Sequence, residues 1–353
     1  MNAQEVIKSE DIVSDIARAV ASIGHDKLFV LTDDNTEAHC LPVVEDIPQI
    51  KDATKIVIAS GDNNKTLESL SHIWEVLTNG GATRHSLLVN LGGGMITDIG
   101  GFAAATFKRG IEYINVPTTL LGAVDASVGG KTGINFCGYK NEVGSFYTSR
   151  YVIMSSTFLK TLPLEGILSG YAEMLKHALI DNTESWQDIL SFSFDDVDYS
   201  RLNDLMFDSV EIKRSVVERD PYEQNIRKAL NLGHTAGHAF ESFALSTGRP
   251  IPHGYAVAWG IIVELYLSYR VCGFPKDKLL KTVRFIKEQY GAFDIDCNDY
   301  ERLHEIALHD KKNEGHIINF TLLSDIGKVE INQTADKELL FEGFDFYRDS
   351  VGL

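Results

Sequence analysis

The chain has 353 residues, with 33 Lys+Arg against 50 Asp+Glu and a formal net charge of −17 at pH 7. With 44% hydrophobic and 24% charged residues the composition is globular and argues against disorder. The acidic balance argues against the broad basic footprint of a nucleic-acid binder, yet leaves room for a local Lys/Arg site that takes a small anion. At roughly 150 residues per domain the length predicts two domains, with cores that need no disulfide staples. Cys40, Cys137, Cys272 and Cys297 are scattered and form no CxxC pair, which points to reduced thiols and a cytoplasmic setting. The first twenty residues read as polar and helical, without a signal-peptide core. No apolar run approaches the ~18 residues of a membrane span.

Over residues 1–165 strand and helix signals alternate. Lys27–Thr32 is a short apolar run closed by Asp33, Asp34 and Asn35, and Lys55–Ala59 is a second β-rich run that ends at Ser60-Gly61-Asp62. Thr66–Leu77 has helical spacing, with Leu67, Leu70, Ile73, Trp74 and Leu77 on one stripe. Ser86–Leu91 reads as a buried strand that runs into Gly92-Gly93-Gly94, Asp98–Phe107 as a helix of small residues, and Tyr113–Val116 as a strand before Pro117-Thr118-Thr119. Continuous apolar strands alternating with helices predict an α/β domain, a Rossmann-like parallel sheet covered on both faces. Residues 166–353 change texture. Gly166–Ile180, Ser200–Val217, Arg227–Leu245, Gly254–Arg270 and Lys276–Tyr290 read as helices, and Ile317–Leu323 with Gly327–Ile331 as a small hairpin. The expectation is a mostly helical second domain.

Three constellations carry chemistry. A strand running into Gly92-Gly93-Gly94 and a helix start at Asp98 lets backbone N–H groups approach a pyrophosphate, and an acid such as Asp33 at the end of an earlier strand, with Asn35 beside it, suits a ribose diol. A tight turn and a helix N-cap explain the same residues structurally. The Gly-rich stretch from Asp125 through Lys131 to Gly133, followed by Lys140-Asn141, fails the GxxxxGK[ST] pattern but offers cations and an amide to a phosphate or carboxylate. The strongest set pairs Glu173 and Lys176, three apart, with His234 and His238, four apart, and His253 after a loop. Arg227 and Asn231 fall in register on the preceding turns. One glutamate and two histidines make a zinc-ligating set with an open position, while an i,i+4 histidine pair can divide into one ligand and one acid/base.

The runs GGGMITDIGGFAAATFKRG (92–110), VPTTLLGAVDASVGGKTGIN (116–135), VGSFY (143–147), AEMLKH (172–177), IKRSVV (212–217), LGHTAGHAFE (232–241), HGYAVAWG (253–260) and HDKKNEG (309–315) resemble the 3-dehydroquinate synthase family. The resemblance covers nearly the whole chain. It implies a carbon–oxygen lyase that converts 3-deoxy-D-arabino-heptulosonate 7-phosphate (DAHP) to 3-dehydroquinate and phosphate, the second step of the shikimate pathway towards chorismate and the aromatic amino acids. The implied chemistry is transient oxidation by NAD, β-elimination of phosphate, re-reduction, ring opening and intramolecular aldol closure. The implied cofactors are NAD and Zn2+ (or Co2+), and the implied assembly is a homodimer. By the same resemblance Glu173, His234 and His253 hold the metal. Asp33, Asn35, Asp62, Lys65, Gly94, Asp98, Thr118, Thr119 and Lys140 fall where the family holds NAD. Arg109, Asp125, Lys131, Asn141, Lys176, Lys213, Arg227, Asn231 and either Lys311 or Lys312 fall where it holds substrate. Glu223 and His238 take the proton-transfer positions, and Lys131 and Lys176 join them in the catalytic set.

Several positions depart from the family pattern: Asp62 stands for Glu, Thr97 for Gly, Tyr171 for Leu, Ala178 for Gly, and Phe136-Cys137-Gly138-Tyr139 for a His-Pro-Leu-Gly stretch. Two alternative readings are a sister sugar-phosphate cyclase and an NAD- and metal-dependent polyol dehydrogenase. The carboxylate-reading set of Arg227, Asn231 and Lys311 or Lys312 favours a substrate with a carboxylate over the first, and net NADH release would mark the second.

Overall fold

A computed structural model describes residues 4–137, 139–308 and 317–353. The chain divides into two compact units, one of residues 1–163 and 197–210, the other of residues 164–196 and 211–353.

The first unit contains β1 (Glu5–Lys8), α1 (Ile12–Ser22), β2 (Leu28–Asp33), α2 (Asp34–His39), the short α3 (Leu41–Val44) and α4 (Pro48–Lys51), β3 (Thr54–Ile58), α5 (Leu67–Asn79), β4 (Leu87–Gly92), α6 (Gly94–Thr106), β5 (Glu112–Pro117), β6 (Lys131–Phe136), β7 (Tyr139–Phe146) and β8 (Tyr151–Met154). Six strands form one parallel sheet in the order β1-β8-β5-β4-β2-β3. Its inner strands β2 and β4 are buried along their whole length because successive side chains enter two different cores. Leu28, Val30, Leu87, Val89, Ile114 and Val116 pack with α1 residues Ile12 and Ile16. Phe29, Leu31, Leu88 and Tyr113 pack with Leu70 and Ile73 of α5 and Ile96 and Ile99 of α6. The parallel sheet covered on both faces is therefore present.

Three local expectations are corrected. Residues Glu5–Lys8 are not helical: Val6 and Ile7 pair with β8, whose four residues carry too short a pattern to be read as a strand. The small-residue helix begins at Gly94 rather than Asp98. The Gly-rich segment after Asp125 is not all loop, because β6 and β7 form an antiparallel ribbon. Seven of the eight β7 residues are exposed, so burial leaves no alternating signature there.

The second unit begins with α7 (Leu164–Asp181) and α8 (Thr183–Leu190) and takes up the later part of α9 (Tyr199–Arg219). It continues with α10 (His234–Ser246), α11 (His253–Leu267), α12 (Lys276–Tyr290), α13 (Tyr300–Leu308), an antiparallel hairpin of β9 (Asn319–Asp325) and β10 (Lys328–Thr334), and α14 (Lys337–Val351). Among the described residues no helix is long and apolar enough to cross a membrane.

The expected helix over 227–245 is broken. Residues Ile226–Asn231 form a tight 3-10 turn, Gly233 adopts φ 78°, and α10 starts afresh at His234. The cause sits on another helix. Glu264, fully buried in α11, accepts N–H bonds from Gly233 (2.6 Å), Thr235 (2.9 Å) and Ala236 (3.0 Å). These are the donors that an α-helix start leaves without intrahelical partners. The positive φ is one that glycine adopts without strain. Gly254 then brings α11 against α7: its N–H donates to Ser169 Oγ at 3.2 Å, and a β-carbon there would collide with the Ser169 carbonyl.

Replacing Glu264 by Ala should orphan three buried N–H groups. At about 1–3 kcal/mol per orphaned group, unfolding free energy should fall by about 3 kcal/mol or more. Glu264→Gln, which keeps one acceptor oxygen, should lose less. Urea denaturation followed by circular dichroism measures both, and an unshifted Glu264→Ala midpoint would contradict this account.

Candidate functional site

In the second unit, three helices place a glutamate and two histidines together. Glu173 lies in the middle of α7, His234 is the first residue of α10 and His253 the first of α11. Glu173 Oε1 lies 3.3 Å from His234 Nε2 and 3.7 Å from His253 Nε2. The remaining ring nitrogens are held by groups that can only accept: His234 Nδ1 is 3.1 Å from the Leu232 carbonyl, and His253 Nδ1 is 3.1 Å from Glu241 Oε2. With Nδ1 of each ring engaged in this way, both Nε2 atoms face one buried carboxylate oxygen of Glu173. The donor atoms of Glu173, His234 and His253 all lie within 4.8 Å of one another. One oxygen and two imidazoles at this spacing fit a divalent cation of the zinc type.

Burial pushes the Glu173 carboxyl up, but the Lys176 ammonium and His234 outweigh it and hold the group well below the usual carboxylate value. Lys176, one helical turn on, forms an ion pair with Glu173 Oε2, and both side chains are buried. Burial alone would lower His253, yet Glu173 and Glu241 reverse this and push the ring up to about 10. A metal entering the site must therefore displace a proton.

The neighbouring residues are less regular than their spacing implies. Arg227 and Asn231 do not continue one helical face into His234 and His238, because Gly233 interrupts the chain between them. Arg227 is buried, with Nη1 donating to the Pro221 carbonyl at 2.5 Å. Asn231 Nδ2 donates to Glu223 Oε1 at 3.0 Å, and Glu223 itself sits at φ 58°. The loop that carries them folds round Asp220, whose carboxylate accepts the N–H groups of Gln224, Asn225 and Arg227 at 3.0, 2.6 and 3.1 Å. His238 lies one turn beyond His234, its ring centroid 5.4 Å from that of His234 and 5.9 Å from that of His253. Lys213 is buried on α9. Lys311 and Lys312 lie outside the described residues.

Sequence reasoning missed Asp220, Glu241 and Glu264. Only Glu241 left a signal: it stands three residues after His238 and seven after His234, on the same face of α10.

In the first unit a second set gathers around Lys65, which is buried. Its ammonium donates to Asp98 Oδ2 at 3.0 Å and to Asn141 Oδ1, and lies 3.6 Å from Asp62. Lys140 lies 3.5 Å from the other Asp62 oxygen. Asn135, not singled out by sequence, ties the set together: it donates to the Asp62 carbonyl at 2.9 Å and accepts from the Asn141 N–H at 3.0 Å. Beside it β4 runs into α6 through Gly92, Gly93 and Gly94, and α6 opens without a side-chain cap. A β-carbon on Gly93 would lie 3.0 Å from Thr119 Cγ2, so the turn is closely backed. Thr118 donates its N–H to the Gly92 carbonyl at 3.0 Å. Such an uncapped start suits a phosphate group.

Asp33 caps α2, accepting from the Thr36 N–H at 2.8 Å in a capping box, with Asn35 exposed in the same first turn. Thr97, where the family pattern has Gly, returns its hydroxyl to the Gly94 carbonyl at 3.0 Å. Asp125 lies half-buried in the turn Gly122–Ala126, and Lys131 is exposed at the start of β6. Arg109 is exposed at φ 69° and has no hydrogen-bond or ion-pair partner among the described residues.

Burial pushes the Asp98 carboxyl up to about 6, against the opposing Lys65 ammonium and with help from the Asp125 and Asp62 charges. A carboxyl that binds its proton more tightly folded than unfolded favours the folded state at low pH. That advantage disappears as the pH rises from near 4 through about 6. Relative to Asp98→Asn, the wild type should therefore lose about 2 kcal/mol of stability between pH 4 and pH 7. Parallel urea titrations at both pH values test this, and a constant difference would refute it.

Comparison with known proteins converges on one family. The family model described as 3-dehydroquinate synthase N-terminal matches residues 55–169, and the model described as 3-dehydroquinate synthase C-terminal matches residues 170–313. A 3-dehydroquinate synthase of Parabacteroides distasonis is 56% identical over 353 residues, covering 100% of both chains. That of Pyrococcus furiosus is 38% identical over 331 residues, 93% of this chain and 95% of the relative. Among solved structures, a 2-deoxy-scyllo-inosose synthase complexed with carbaglucose-6-phosphate, NAD+ and Co2+ matches with a TM-score of 0.82 at 25% identity, covering 96% of this chain and 95% of the other. A 2-epi-5-epi-valiolone synthase from Streptomyces hygroscopicus with NAD+ and Zn2+ bound matches in fold with a TM-score of 0.86 at 21% identity, covering 99% and 98%. On the two family models and the full-length relative, the chain belongs to the 3-dehydroquinate synthase family.

Proposed function

We propose that this chain is a 3-dehydroquinate synthase, converting DAHP to 3-dehydroquinate and phosphate with NAD and a divalent metal. The observation that carries the reading is the convergence of Glu173, His234 and His253, three ligand atoms within 4.8 Å, in a chain 56% identical to a named member of the family. Bound NAD supplies a hydride acceptor that is restored within each turnover, and a bound Zn2+ or Co2+ polarises substrate hydroxyl and carbonyl oxygens.

The chain's own residues supply binding, orientation and proton movement. In the first unit the uncapped start of α6 and the Lys65–Asp98–Asp62–Lys140 group are the proposed NAD contacts, together with Asp33, Asn35, Thr118 and Thr119. In the second unit Arg227, buried and tethered to Pro221, is proposed to grip the substrate carboxylate through two parallel hydrogen bonds. Asn231, held by Glu223, presents its amide next to it. His238 is the proposed carrier of the proton that leaves and returns at the C5 hydroxyl, with Glu223 as the second proton-transfer group. Lys176 keeps Glu173 ionised and available as a ligand. Arg109, Asp125, Lys131, Asn141 and Lys213 complete the proposed substrate contacts, and their cations offset a phosphate charge of about −2. A cytoplasmic homodimer belongs to the same proposal.

The test is incubation with DAHP, Zn2+ and a catalytic amount of NAD. Phosphate and 3-dehydroquinate should appear over many turnovers without accumulation of NADH. NADH formed one-for-one with product would make the enzyme a dehydrogenase, and failure on DAHP with turnover of another sugar phosphate would make it a sister cyclase. Arg227→Lys should lower kcat/KM for DAHP by roughly ten- to a hundredfold, since a charge-assisted contact is worth about 1.5–3 kcal/mol. The penalty should largely vanish when binding of an analogue lacking the carboxylate is compared. Equal losses for both ligands would show that Arg227 does not read the carboxylate.

A further inference from the structure

We propose that Glu241 is the positioning residue that decides which nitrogen of His253 faces the metal. The inference rests on the metal-site reading above and extends it to a residue outside the ligand set.

His253 is the least restrained of the three ligands. It is the first residue of α11, preceded by Pro252, and no side chain caps that helix start. Its backbone is fixed through the following residue, where Gly254 meets Ser169. That contact leaves χ1 and χ2 of the histidine undetermined. Among the described residues the ring's Nδ1 has one hydrogen-bond partner, Glu241 Oε2 at 3.1 Å. An ionised carboxylate has no proton to give, so Nδ1 must carry it. Nε2 is then the nitrogen left to face Glu173, whose Oε1 lies 3.7 Å away. Were the ring turned over about χ2, carbon atoms would take the places of its two nitrogens, and neither the Glu241 contact nor the Nε2–Glu173 approach would form.

The second histidine solves the same problem differently. His234 Nδ1 is 3.1 Å from the Leu232 carbonyl, a backbone group two residues away that belongs to the same turn. His253 has no such acceptor in its own segment and takes one from α10 instead. Helix α10 thus supplies His234, His238 and Glu241 at i, i+4 and i+7, one face carrying a ligand, a titratable ring and an orienting carboxylate. A carboxylate acceptor also raises the basicity of the ligand more than a neutral carbonyl does, and loss of such outer partners typically costs about 10–100-fold in metal affinity.

The geometry admits a rival role, because His238, Glu241 and His253 also present ligand atoms within 4.8 Å of one another. The first set is favoured for the metal because Glu173 is fully buried and its Oε1 makes no hydrogen bond, whereas Glu241 already has the His253 ring as a partner.

The experiment measures metal affinity directly, by chelator competition with Zn2+ and by the visible absorption of the Co2+ form, on wild type, Glu241→Ala, Glu241→Gln, Glu173→Gln and His253→Ala. NAD affinity of each variant is measured alongside as a check on folding. Glu241→Ala should bind Zn2+ about 10–100-fold more weakly, with a changed Co2+ spectrum and unchanged NAD affinity. Glu241→Gln, whose amide oxygen still accepts from Nδ1, should recover part of the loss, while Glu173→Gln and His253→Ala should lose more than either. Wild-type affinity in Glu241→Ala together with a loss in His253→Ala would overturn the positioning role and leave the metal site standing. Wild-type affinity in His253→Ala would overturn the metal site itself. A loss in Glu241→Gln as large as in Glu173→Gln would make Glu241 a ligand, which also overturns the proposal.

Discussion

The second unit depends on a carboxylate in an unfavourable place. Glu264 lies on α11 within the run Ile261-Ile262-Val263-Glu264-Leu265, and it is fully buried. An ionised group there is costly to desolvate unless donors surround it. The start of α10 has the complementary need, since its first N–H groups are buried and lack intrahelical acceptors. The two needs cancel only when α10 begins opposite the middle of α11, where the positive end of the helix also faces the carboxylate. That match fixes the axial position of α10 against α11. His234 opens the first helix and His253 the second, so one buried carboxyl group sets the height of both histidines.

Much of the fold was readable because burial leaves periodic traces. Strands β2 and β4 are buried along their whole length, and their uninterrupted apolar runs announced a sheet covered on both faces. The pair His234 and His238 was readable because an α-helix returns to the same face every four residues. What was not readable depends on partners remote in sequence. Nothing in Arg227–Gly233 announces that a residue more than thirty positions later will stop a helix there. Glu264 itself looks like one of many surface acids, since sequence gives charge but not solvation. The β6–β7 ribbon escaped for the opposite reason: its outer strand is almost wholly exposed, so no burial pattern marks it.

The chain has 50 acidic residues and ample solvent for its cations, yet Lys65 and Lys176 are both buried. Each is paired with a carboxylate, Asp98 in the first unit and Glu173 in the second. The two acids are nevertheless pushed in opposite directions. Asp98 shares one lysine with Asp62 and feels Asp125 as well, so burial prevails and the carboxyl is raised. Glu173 has Lys176 and two imidazoles around it, so the positive neighbours prevail and the carboxyl is lowered. A lysine–carboxylate pairing thus yields a reluctant anion in one place and a committed anion in the other. The difference lies in the surrounding charge count rather than in the pair.

Where α10 crosses α11, the contact is backbone against backbone. A β-carbon on Gly237 would meet the Ala256 carbonyl at 3.0 Å, and one on Gly260 would strike the Gly233 carbonyl. Side-chain layers can be compressed, swapped or repacked, and helices separated by them drift as those layers change. Two helices in direct main-chain contact have no such layer to alter. The aromatic shell around Phe240, formed by Phe293, Phe344 and Tyr347, can therefore vary in volume while the crossing stays where it is. Such a junction uncouples sequence drift in the surrounding core from the spacing of His234 and His253, so a rapidly diverging interior can enclose a centre whose dimensions stay constant.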